Sequence, residues 1–455
     1  MASLYFEEAL LKSGWATGVR IEIAGGLITG VETGTRAGAG DERHAIGLPG
    51  MPNLHSHAFQ RGMAGLAEIR GPDEDTFWTW REMMYRLALA MCPDDVEAVA
   101  ALAYVEMLEA GFTRVGEFHY LHHDRDGRPF RDPAEMAGRI IVAAGETGIG
   151  LTLLPVFYAH GGFGGQSPAP NQRRFICDPD AFGRLIEASR RAALAHPRSV
   201  IGVAPHSLRA VTPEELAAIQ PLAGDGPIHI HAAEQLREVD DCLAWSGRRP
   251  VEWLLEEAAA DSRWCIVHAT HMTQEETQRM AAAGVVAGLC PVTEANLGDG
   301  IFNGPHFMSS GGRFGIGSDS NVLVGVADEL RQLEYAQRLH GRQRNVMSRG
   351  EGASTGRTLY EAAAQGGAAA LGAPAAVLAP GAPADILSLD AANPALLERR
   401  GDRVLDAWIF AARTSPVDCV WVRGRKWVEA GRHPARERIV ARYRRSIARL
   451  VAAEL

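Results

Sequence analysis

Short runs of apolar and β-branched residues alternate with longer stretches of helical spacing between about residues 45 and 370. The longer stretches, such as DDVEAVAALAYVEMLEAG and PEELAAIQPLA, place apolar residues three and four positions apart. Strands that are buried on both faces read as near-continuous apolar runs, so this alternation predicts an α/β fold, a (β/α)8 TIM-like barrel. The eight predicted strands end at Leu54, Tyr120, Tyr158, Pro205, Ala232, Ala269, Cys290 and Ser318.

The two ends of the chain follow a different pattern. Residues 1–46 contain GVRIEIAGGLITGVETG, and residues 375–430 contain ADILSLD and DCVWVRGRKWVEAG, all of which predict short strands with tight turns. Neither piece can bury a core alone, so we expect them to form one small β-sandwich beside a barrel over residues 47–374. Residues 431–455 predict a C-terminal helix whose basic face we expect to lie in solvent.

Composition narrows the classes of function. The net charge of −9 gives a nucleic-acid partner no electrostatic support. No run of about 18 apolar residues occurs, so we expect no membrane span. The six cysteines are scattered singly and the first residues lack the plan of a signal peptide, so we expect a cytoplasmic protein without disulfides.

Histidines two residues apart lie at two predicted strand ends. His55 and His57 in PNLHSHAF project to one side of an extended strand, where both imidazoles can reach one metal ion. In HIHAAE, either His229 or His231 could be a ligand by spacing alone. Glu234 follows just beyond the strand, where a carboxylate can move a proton between water and a leaving group.

Two further strand ends carry side chains that bind metals. His268 ends the sixth predicted strand in CIVHATH, and Asp319 follows the eighth in GIGSDSN. The carboxyl ends of barrel strands converge on one face, so four such ends predict one pocket around a divalent ion. The sequence therefore predicts a metal-dependent hydrolase.

Together these motifs resemble the amidohydrolase superfamily over nearly the whole chain. The resemblance implies a barrel of the amidohydrolase type and assigns roles to particular residues. The implied metal ligands are His55, His57, His231 and Asp319. The residues implied in proton transfer and water positioning are Glu234, His268 and Asp319. His229 then becomes a neighbour that supports the site.

Lysine occurs at only two positions, Lys12 and Lys426. Two-metal members of the superfamily bridge their ions with a carboxylated lysine from strand four, and SVIGVAPHSLR contains none. This excludes a lysine-bridged site and leaves the mononuclear branch, which resembles deaminases and deiminases of amidine-like C–N bonds. We expect one Zn²⁺ per subunit, and the ligand types also admit Fe²⁺ or Mn²⁺.

The loops extend the resemblance. The stretches LPGMPNLHSHAFQRGMAGLAE, FWTWREMMYR, GEFHYLHHD, PHSLRAVTP and VTEANLGDGIF resemble the family of N-formimidoyl-L-glutamate deiminases of histidine degradation. This implies hydrolysis of that small molecule to N-formyl-L-glutamate and ammonia, in a homodimer. A substrate with two carboxylates requires arginines, whose planar forks match carboxylates. The residues expected to bind it are Gln60, Arg81, Tyr120, His206 and Arg209.

Two other functions remain open. A mononuclear deaminase of a heterocyclic amine, such as guanine or cytosine, would stack its substrate on aromatic rings, and Trp78, Trp80 and Phe118 are candidates that could equally pack the loops. A barrel that has lost its metal and serves assembly or regulation is the second alternative, against which the complete ligand set argues. Surface or packing roles are the default for four other histidines, His122, His123, His160 and His271.

Overall fold

The computed structural model describes residues 2–71, 75–196 and 199–452. Its strands are β1 (Ala2–Leu11), β2 (Gly14–Ala24), β3 (Leu27–Glu32), β4 (Glu42–Pro49), β5 (Met51–Ser56), β6 (Phe112–His119), β7 (Gly150–Phe157), β8 (Val200–Ile201), β9 (Ala204–Pro205), β10 (Ile228–Ala232), β11 (Trp264–His268), β12 (Val286–Leu289), β13 (Arg313–Ile316), β14 (Ile386–Leu389), β15 (Val417–Val422) and β16 (Arg425–Val428).

The α-helices are α1 (Phe77–Ala90), α2 (Pro93–Glu109), α3 (Glu135–Thr147), α4 (Pro179–Ala193), α5 (Pro213–Ile219), α6 (Leu236–Ser246), α7 (Pro250–Glu256), α8 (Gln274–Ala282), α9 (Pro291–Leu297), α10 (Gly304–Ser309), α11 (Val326–Gly341), α12 (Thr355–Ala370), α13 (Asp402–Ala411) and α14 (Arg436–Ala452). Short 3-10 helices cover Ala58–Met63, Pro170–Gln172 and Gln220–Ala223. Among the described residues, no helix combines the length and the apolar character that crossing a membrane requires.

Two parallel sheets hold the strands that were predicted from the apolar runs. Strands β5, β6, β7 and β8 pair in that order, with β9 also on β7, and strands β10 to β13 pair in order in the second sheet. Single parallel bridges join the two sheets, from Ser56 to Asp319 and from Val203 to Ile228. The prediction of an α/β fold with parallel strands is confirmed.

The first predicted strand is in fact two strands. The run AIGLPGMPNL divides at Gly50, because β4 pairs with β1 and β14 whereas β5 pairs with β6. A side chain at Gly50 would overlap Thr113, so the chain passes from one sheet to the other through a point with no room for a Cβ atom. The residues on both sides of the break are buried, and the hydrophobic pattern therefore cannot reveal it.

The two ends of the chain lie together, as predicted, and their strands form one seven-stranded sheet. Its strand order is β16-β15-β14-β4-β1-β2-β3. Apolar side chains from both ends, including Phe6, Ile21, Ile386 and Trp421, form one buried cluster on this sheet. Strand β1 was missed because FEEALL has apolar residues at helical spacing, yet β1 pairs along its length with β2. Helix α13 was also missed, in a segment for which only strands were predicted.

The predicted C-terminal helix is α14, with residues 453–455 lying outside the described part of the chain. Its basic face is largely exposed, as at Arg438, Arg444 and Arg445, but part of it contacts the preceding helices. Arg436 forms an ion pair with Glu109 of α2, and Arg442 forms ion pairs with Glu97 of α2 and Glu146 of α3. Two arginines of α14 therefore pair with acidic side chains of α2 and α3, while the rest of the basic face remains on the surface.

Helix α12 packs closely beneath the two parallel sheets. A methyl group on Gly366 would overlap the carbonyl group of Phe314 in β13, so the helix approaches the strand as closely as a backbone can. Beyond Gly366, Ala370 and Leu371 join a buried cluster with Leu54 of β5 and strands β11 and β12. Helix α12 thereby packs against the strands whose ends carry the candidate site.

We expect Gly366→Ala to lower the free energy of unfolding by about 3 kcal/mol, because overpacking a rigid contact costs roughly 1–3 kcal/mol. Gly183→Ala in α4 is the matched control, since nothing lies within 4 Å of the added methyl group. Replacing a helical glycine by alanine without a clash should stabilise the protein by about 0.5–1 kcal/mol. Urea unfolding of both variants measures the difference, and equal midpoints would contradict the close packing.

Candidate active site

Four buried side chains converge at the ends of β5, β10 and β13. They are His55, His57, His231 and Asp319, whose ligand atoms all lie within 4.8 Å of one another. The Nε2 atom of His55 is 3.1 Å from Nε2 of His57 and 3.1 Å from Nε2 of His231. The carboxylate of Asp319 lies 3.3 Å from Nε2 of His57. The structure therefore brings together the four side chains expected to bind the metal.

The outer hydrogen bonds of His57 and His231 leave their Nε2 atoms available to a metal ion, whereas Nδ1 of His55 is buried without a hydrogen-bond partner in the described structure. Nδ1 of His57 donates to the carbonyl of Phe118 at 2.9 Å, and Nδ1 of His231 donates to the carbonyl of His206 at 3.0 Å. Burial lowers the pKa of His55 to about 3 and also lowers the pKa values of His57 and His231. Neutral imidazoles whose Nε2 lone pairs face one point, beside a carboxylate, fit one divalent cation.

The backbone fixes Asp319 at this point. Its φ of 45° is in the left-handed region, which is uncommon for a residue other than glycine. The N–H of Asp319 donates to the carbonyl of His55 at 3.0 Å, and the N–H of His57 donates to the carbonyl of Asp319 at 2.9 Å. The side chain of Asn321 donates to Ser56 and to the carbonyl of His57, each at 3.1 Å. The ends of β5 and β13 are thus held together by hydrogen bonds.

Glu234 and His268 lie beside the four converging side chains. Nε2 of His268 is 3.4 Å from Oε1 of Glu234 and 3.8 Å from Oδ2 of Asp319. Burial raises the pKa of Glu234 to about 7. Burial alone would lower the pKa of His268, but the neighbouring carboxylates, Glu234 first among them, raise it well above its usual value. The pair can therefore exchange protons close to neutral pH.

Two buried carboxyl groups that the sequence did not single out lie behind this pair. Oε1 of Glu294 is 3.2 Å from Nδ1 of His268. Asp299 has a carboxylate oxygen within 4.8 Å of ligand atoms of Glu234 and His268, and burial raises its pKa to about 9. His271, whose role was open, donates from Nε2 to the carbonyl of Asp299 at 2.7 Å. Glu294 and Asp299 both lie in VTEANLGDGIF, a stretch that contributed to the family resemblance but had no role predicted for either carboxyl group.

All five residues expected to bind the substrate line one cavity above the converging side chains, with about 460 Å³ of space between its atoms. They are Gln60, Arg81, Tyr120, His206 and Arg209. Gln60 donates from Nε2 to the hydroxyl of Tyr120 at 2.8 Å, while its Oε1 is buried without a hydrogen-bond partner in the described structure. The remaining lining residues that sequence reasoning missed are mostly apolar, namely Phe77, Met84 and Leu297.

The two arginines of the cavity have no carboxylate partner among the described residues. Arg209 is 9% exposed, and its Nε and Nη1 atoms are buried without a hydrogen-bond acceptor. Arg81 donates from Nη2 to the hydroxyl of Tyr158 at 2.8 Å, and that hydroxyl also accepts a hydrogen bond from Gln172 at 2.7 Å. Buried guanidinium groups without anions are expected where the anion comes from a ligand.

The three aromatic residues considered for heterocycle stacking lie in different environments. Phe118 is fully buried against the rings of His55, His57 and His231, on the side away from the cavity lining. The ring of Trp78 lies 5.6 Å from the guanidinium carbons of both Arg81 and Arg209. Trp80 alone of the three lines the cavity. Trp78 therefore contacts the two cavity arginines, and only Trp80 of the three rings faces the space in which a heterocycle could stack.

The other histidines have packing roles. The spacing left His229 as a possible ligand. It lies two residues before His231 in β10, is fully buried, and donates from Nε2 to the carbonyl of Ala370 at 2.7 Å. His122 and His123 bond to backbone carbonyls, each at 2.7 Å, and His160 contacts the carboxylate of Glu215 at 2.9 Å. These contacts agree with the default expected from the sequence.

Two family profiles match the chain. The profile described as "Amidohydrolase family" matches residues 46–427, and the profile described as "Formimidoylglutamate deiminase HutF, N-terminal domain" matches residues 1–45. A formimidoylglutamate deiminase of Pseudomonas aeruginosa is 52% identical over 440 residues, which cover 96% of this chain and 97% of the relative. A 5-methylthioadenosine/S-adenosylhomocysteine deaminase of Natronomonas pharaonis is 28% identical over 394 residues, covering 86% and 83%.

Solved structures share the fold. A crystal structure of an amidohydrolase from Brucella melitensis superposes with a TM-score of 0.97 at 58% identity, over 99% of this chain and all of that one. An adenosine deaminase from Xanthomonas campestris with bound zinc superposes with a TM-score of 0.82 at 21% identity, over 99% and 98% of the two chains. At that identity the second likeness concerns the fold alone.

Proposed function

Because the chain belongs to the amidohydrolase family, and within it to the formimidoylglutamate deiminases, we propose that it hydrolyses N-formimidoyl-L-glutamate to N-formyl-L-glutamate and ammonia. This is a step of histidine degradation. The observation that carries the proposal is a pair of cavity arginines without carboxylate partners in the described structure, next to a His₃Asp cluster and a buried glutamate. A substrate with two carboxylates supplies the anions that this cavity lacks.

We also propose how the barrel and the two ends of the chain are arranged. The parallel bridges at both edges of the two sheets support a closed (β/α)8 barrel over residues 47–374. The shared sheet and its apolar cluster support one small β domain built from residues 1–46 and 375–430, followed by the C-terminal helix, and its description as a β-sandwich stays a prediction. The homodimer and the cytoplasmic location stay predictions.

We assign one divalent ion, preferably Zn²⁺, to His55, His57, His231 and Asp319, because neutral imidazoles with one carboxylate are the ligands that zinc takes in hydrolases. Fe²⁺ or Mn²⁺ would suit the same donor types. When bound, such an ion acts as a Lewis acid and lowers the pKa of water towards neutrality. The donor atoms of all four residues are already gathered, so binding needs little rearrangement of the protein.

The protein's own groups move the protons. Asp319 takes up the proton of the attacking water as the water oxygen bonds to the formimidoyl carbon, and His268, which its carboxylate neighbours keep protonated, orients that water. Glu234, whose pKa burial raises to about 7, carries its proton in a large fraction of molecules near neutral pH and protonates the imino nitrogen. The proton held by Asp319 then passes by way of His268 to the new amino group, which leaves as ammonia. The hydroxyl proton returns to Glu234 as the C–O bond becomes the carbonyl of the N-formyl product. Water is the only co-reactant.

Ammonia release from N-formimidoyl-L-glutamate by zinc-loaded protein tests the function, with N-formimidoyl-glycine as a control that lacks the second carboxylate. We expect rapid turnover of the first compound and little turnover of the second. Guanine and cytosine serve as competing substrates for the heterocyclic alternative. Turnover of either base without turnover of N-formimidoyl-L-glutamate would contradict the proposal, and protein that binds no metal would revive a non-catalytic role.

We expect Arg209→Ala to raise the KM for N-formimidoyl-L-glutamate about 10- to 100-fold, since hydrogen bonds to a charged group contribute roughly 1.5–3 kcal/mol. The value of kcat should change less, because Arg209 binds the substrate away from the reacting carbon. Steady-state kinetics measure both. Arg128→Ala is the matched control, because this arginine lies on the surface with 78% of its side chain exposed. An unchanged KM would remove Arg209 from the substrate site.

A further inference from the structure

Glu294 contacts His268 on the side of the ring away from Glu234. Oε1 of Glu294 is 3.2 Å from Nδ1 of His268, whereas Nε2 of the same ring faces Glu234 at 3.4 Å and Asp319 at 3.8 Å. Glu294 is 5% exposed and is absent from the lining of the substrate cavity. Glu294 can therefore reach the reacting atoms only through the imidazole.

The carboxylate of Glu294 is itself held in place. Oε1 accepts the N–H of Cys290 at 2.9 Å, at the N-terminal end of α9. The backbone carbonyl of Glu294 accepts the N–H of Asp299 at 2.9 Å, which ties the helix to the loop that follows. Burial and the bond from Cys290 restrict the rotamers of the Glu294 side chain, so its oxygen presents a fixed acceptor to the ring.

The backbone of His268 makes such an acceptor necessary. Its φ is 69°, in the left-handed region, and Ala269 follows with a φ of 50°. This bend at the end of β11 turns the imidazole towards the converging strand ends, and a free ring there could rotate or exchange tautomers. A carboxylate at Nδ1 accepts the Nδ1 proton whether or not Nε2 also carries one, and it keeps Nε2 towards Glu234 and Asp319.

We propose that Glu294 is a positioning residue for the reaction: it accepts the Nδ1 proton of His268 and thereby keeps Nδ1 protonated and fixes the orientation of that ring. This inference rests on the proposed function of His268 in proton transfer. It gives a task to a buried carboxylate that neither binds substrate nor belongs to the cluster of metal ligands. The arrangement is a carboxylate–histidine pair in which only the histidine touches the reacting atoms.

Replacement of Glu294 separates positioning from packing. We expect Glu294→Ala to lower kcat about 10- to 100-fold, the usual cost of losing a group that orients a metal-site histidine. KM and the metal content per chain should stay within about twofold of wild type, because binding groups are untouched. Glu294→Gln keeps an oxygen acceptor for Nδ1, and its kcat should stay within about tenfold of wild type, as neutral hydrogen bonds are roughly half as strong as charge-assisted ones.

A double-mutant cycle with His268→Ala provides the decisive comparison. If Glu294 acts through His268, adding Glu294→Ala to His268→Ala should change kcat less than about threefold, because coupled residues are not additive. An equal loss in both backgrounds would overturn the proposal and leave Glu294 a packing residue. A loss confined to KM, or equal losses for the alanine and glutamine variants, would overturn it as well.

A measurement without turnover keeps this test apart from the test of the proposed function. In protein labelled with ¹⁵N-histidine, the signals of His268 are assigned by their loss in His268→Ala. We expect wild-type protein to have a protonated Nδ1 at His268, and this state should be lost in Glu294→Ala. An unprotonated Nδ1 in the wild type would overturn the inference even if the deiminase activity is found. Absence of turnover with a protonated Nδ1 would count against the proposed function alone.

Discussion

Glu234→Gln should lower kcat for N-formimidoyl-L-glutamate about a thousandfold, within the range of roughly 10²–10⁴ that general acid–base groups contribute. Glutamine has nearly the same shape, so the contact with His268 and the volume of the site are preserved. It cannot carry a proton, however, and the imino nitrogen must then become a leaving group without an acid. Because Glu234 is outside the converging ligand set, the bound metal per chain should not change.

The backbone around Glu234 supports a catalytic reading of this variant. Glu238 accepts the N–H groups of Ala233 and Glu234 at 3.3 and 3.1 Å, so the turn after β10 is held independently of the Glu234 side chain. Glu275→Gln, on the exposed side of α8, is the matched control for loss of a carboxylate. Kinetics and elemental analysis of both variants give the result. A Glu234→Gln enzyme with more than a tenth of wild-type kcat would remove the acid role.

Asp319→Asn should reduce both metal affinity and turnover. The carboxylate lies 3.5 Å from Nε2 of His55 and 3.3 Å from Nε2 of His57, buried with neutral imidazoles. The carboxylate of Asp319 and the bound cation would form a buried charge pair. Removing one charge of such a pair costs about 3–5 kcal/mol, so we expect metal affinity to fall at least about a hundredfold. Turnover should fall about a thousandfold or more even with excess metal, because Asp319 also takes up the proton of the attacking water.

Metal titration followed by activity at saturating metal separates the two effects. Asp240→Asn, on the exposed face of α6, is the matched control and should bind metal like wild type. Comparison with Glu234→Gln is informative, because Asp319→Asn should lose the metal ion whereas Glu234→Gln should keep it. Normal metal affinity in Asp319→Asn would exclude this carboxylate from the ligand set.

The candidate site could be predicted because its residues end strands. His55, His57, Glu234, His268 and Asp319 each follow an apolar run, and parallel strands carry their ends to one edge whatever the loops do. A period of two residues also places His229 and His231 on one side, so spacing could not choose between them. The position along the strand decides between them. His229 lies earlier in β10 and bonds to the carbonyl of Ala370 in α12, whereas His231 lies at the strand end, with its Nε2 next to Nε2 of His55.

Residues that act from loops left no such pattern. Glu294 lies in a helix of seven residues, and its distance from His268 follows from how that helix docks. Tyr158 and Gln172 hold Arg81 through contacts between three separate segments. The division at Gly50 was missed because burial on both sides removes the alternation by which a sheet boundary is recognised, and β1 was missed because its apolar residues have helical spacing.

The pairing of β4 with β14 has a consequence for biosynthesis. Leu48 pairs with Leu387, so one edge of β4 has no native partner while the ribosome makes the whole stretch between them. His55 and His57 are made early as well, yet their cluster is incomplete until Asp319 has been added. An open apolar strand edge invites pairing with other chains. The growing polypeptide therefore depends on protection of that edge until its last strands emerge, and the ion can enter a finished cluster only late in synthesis.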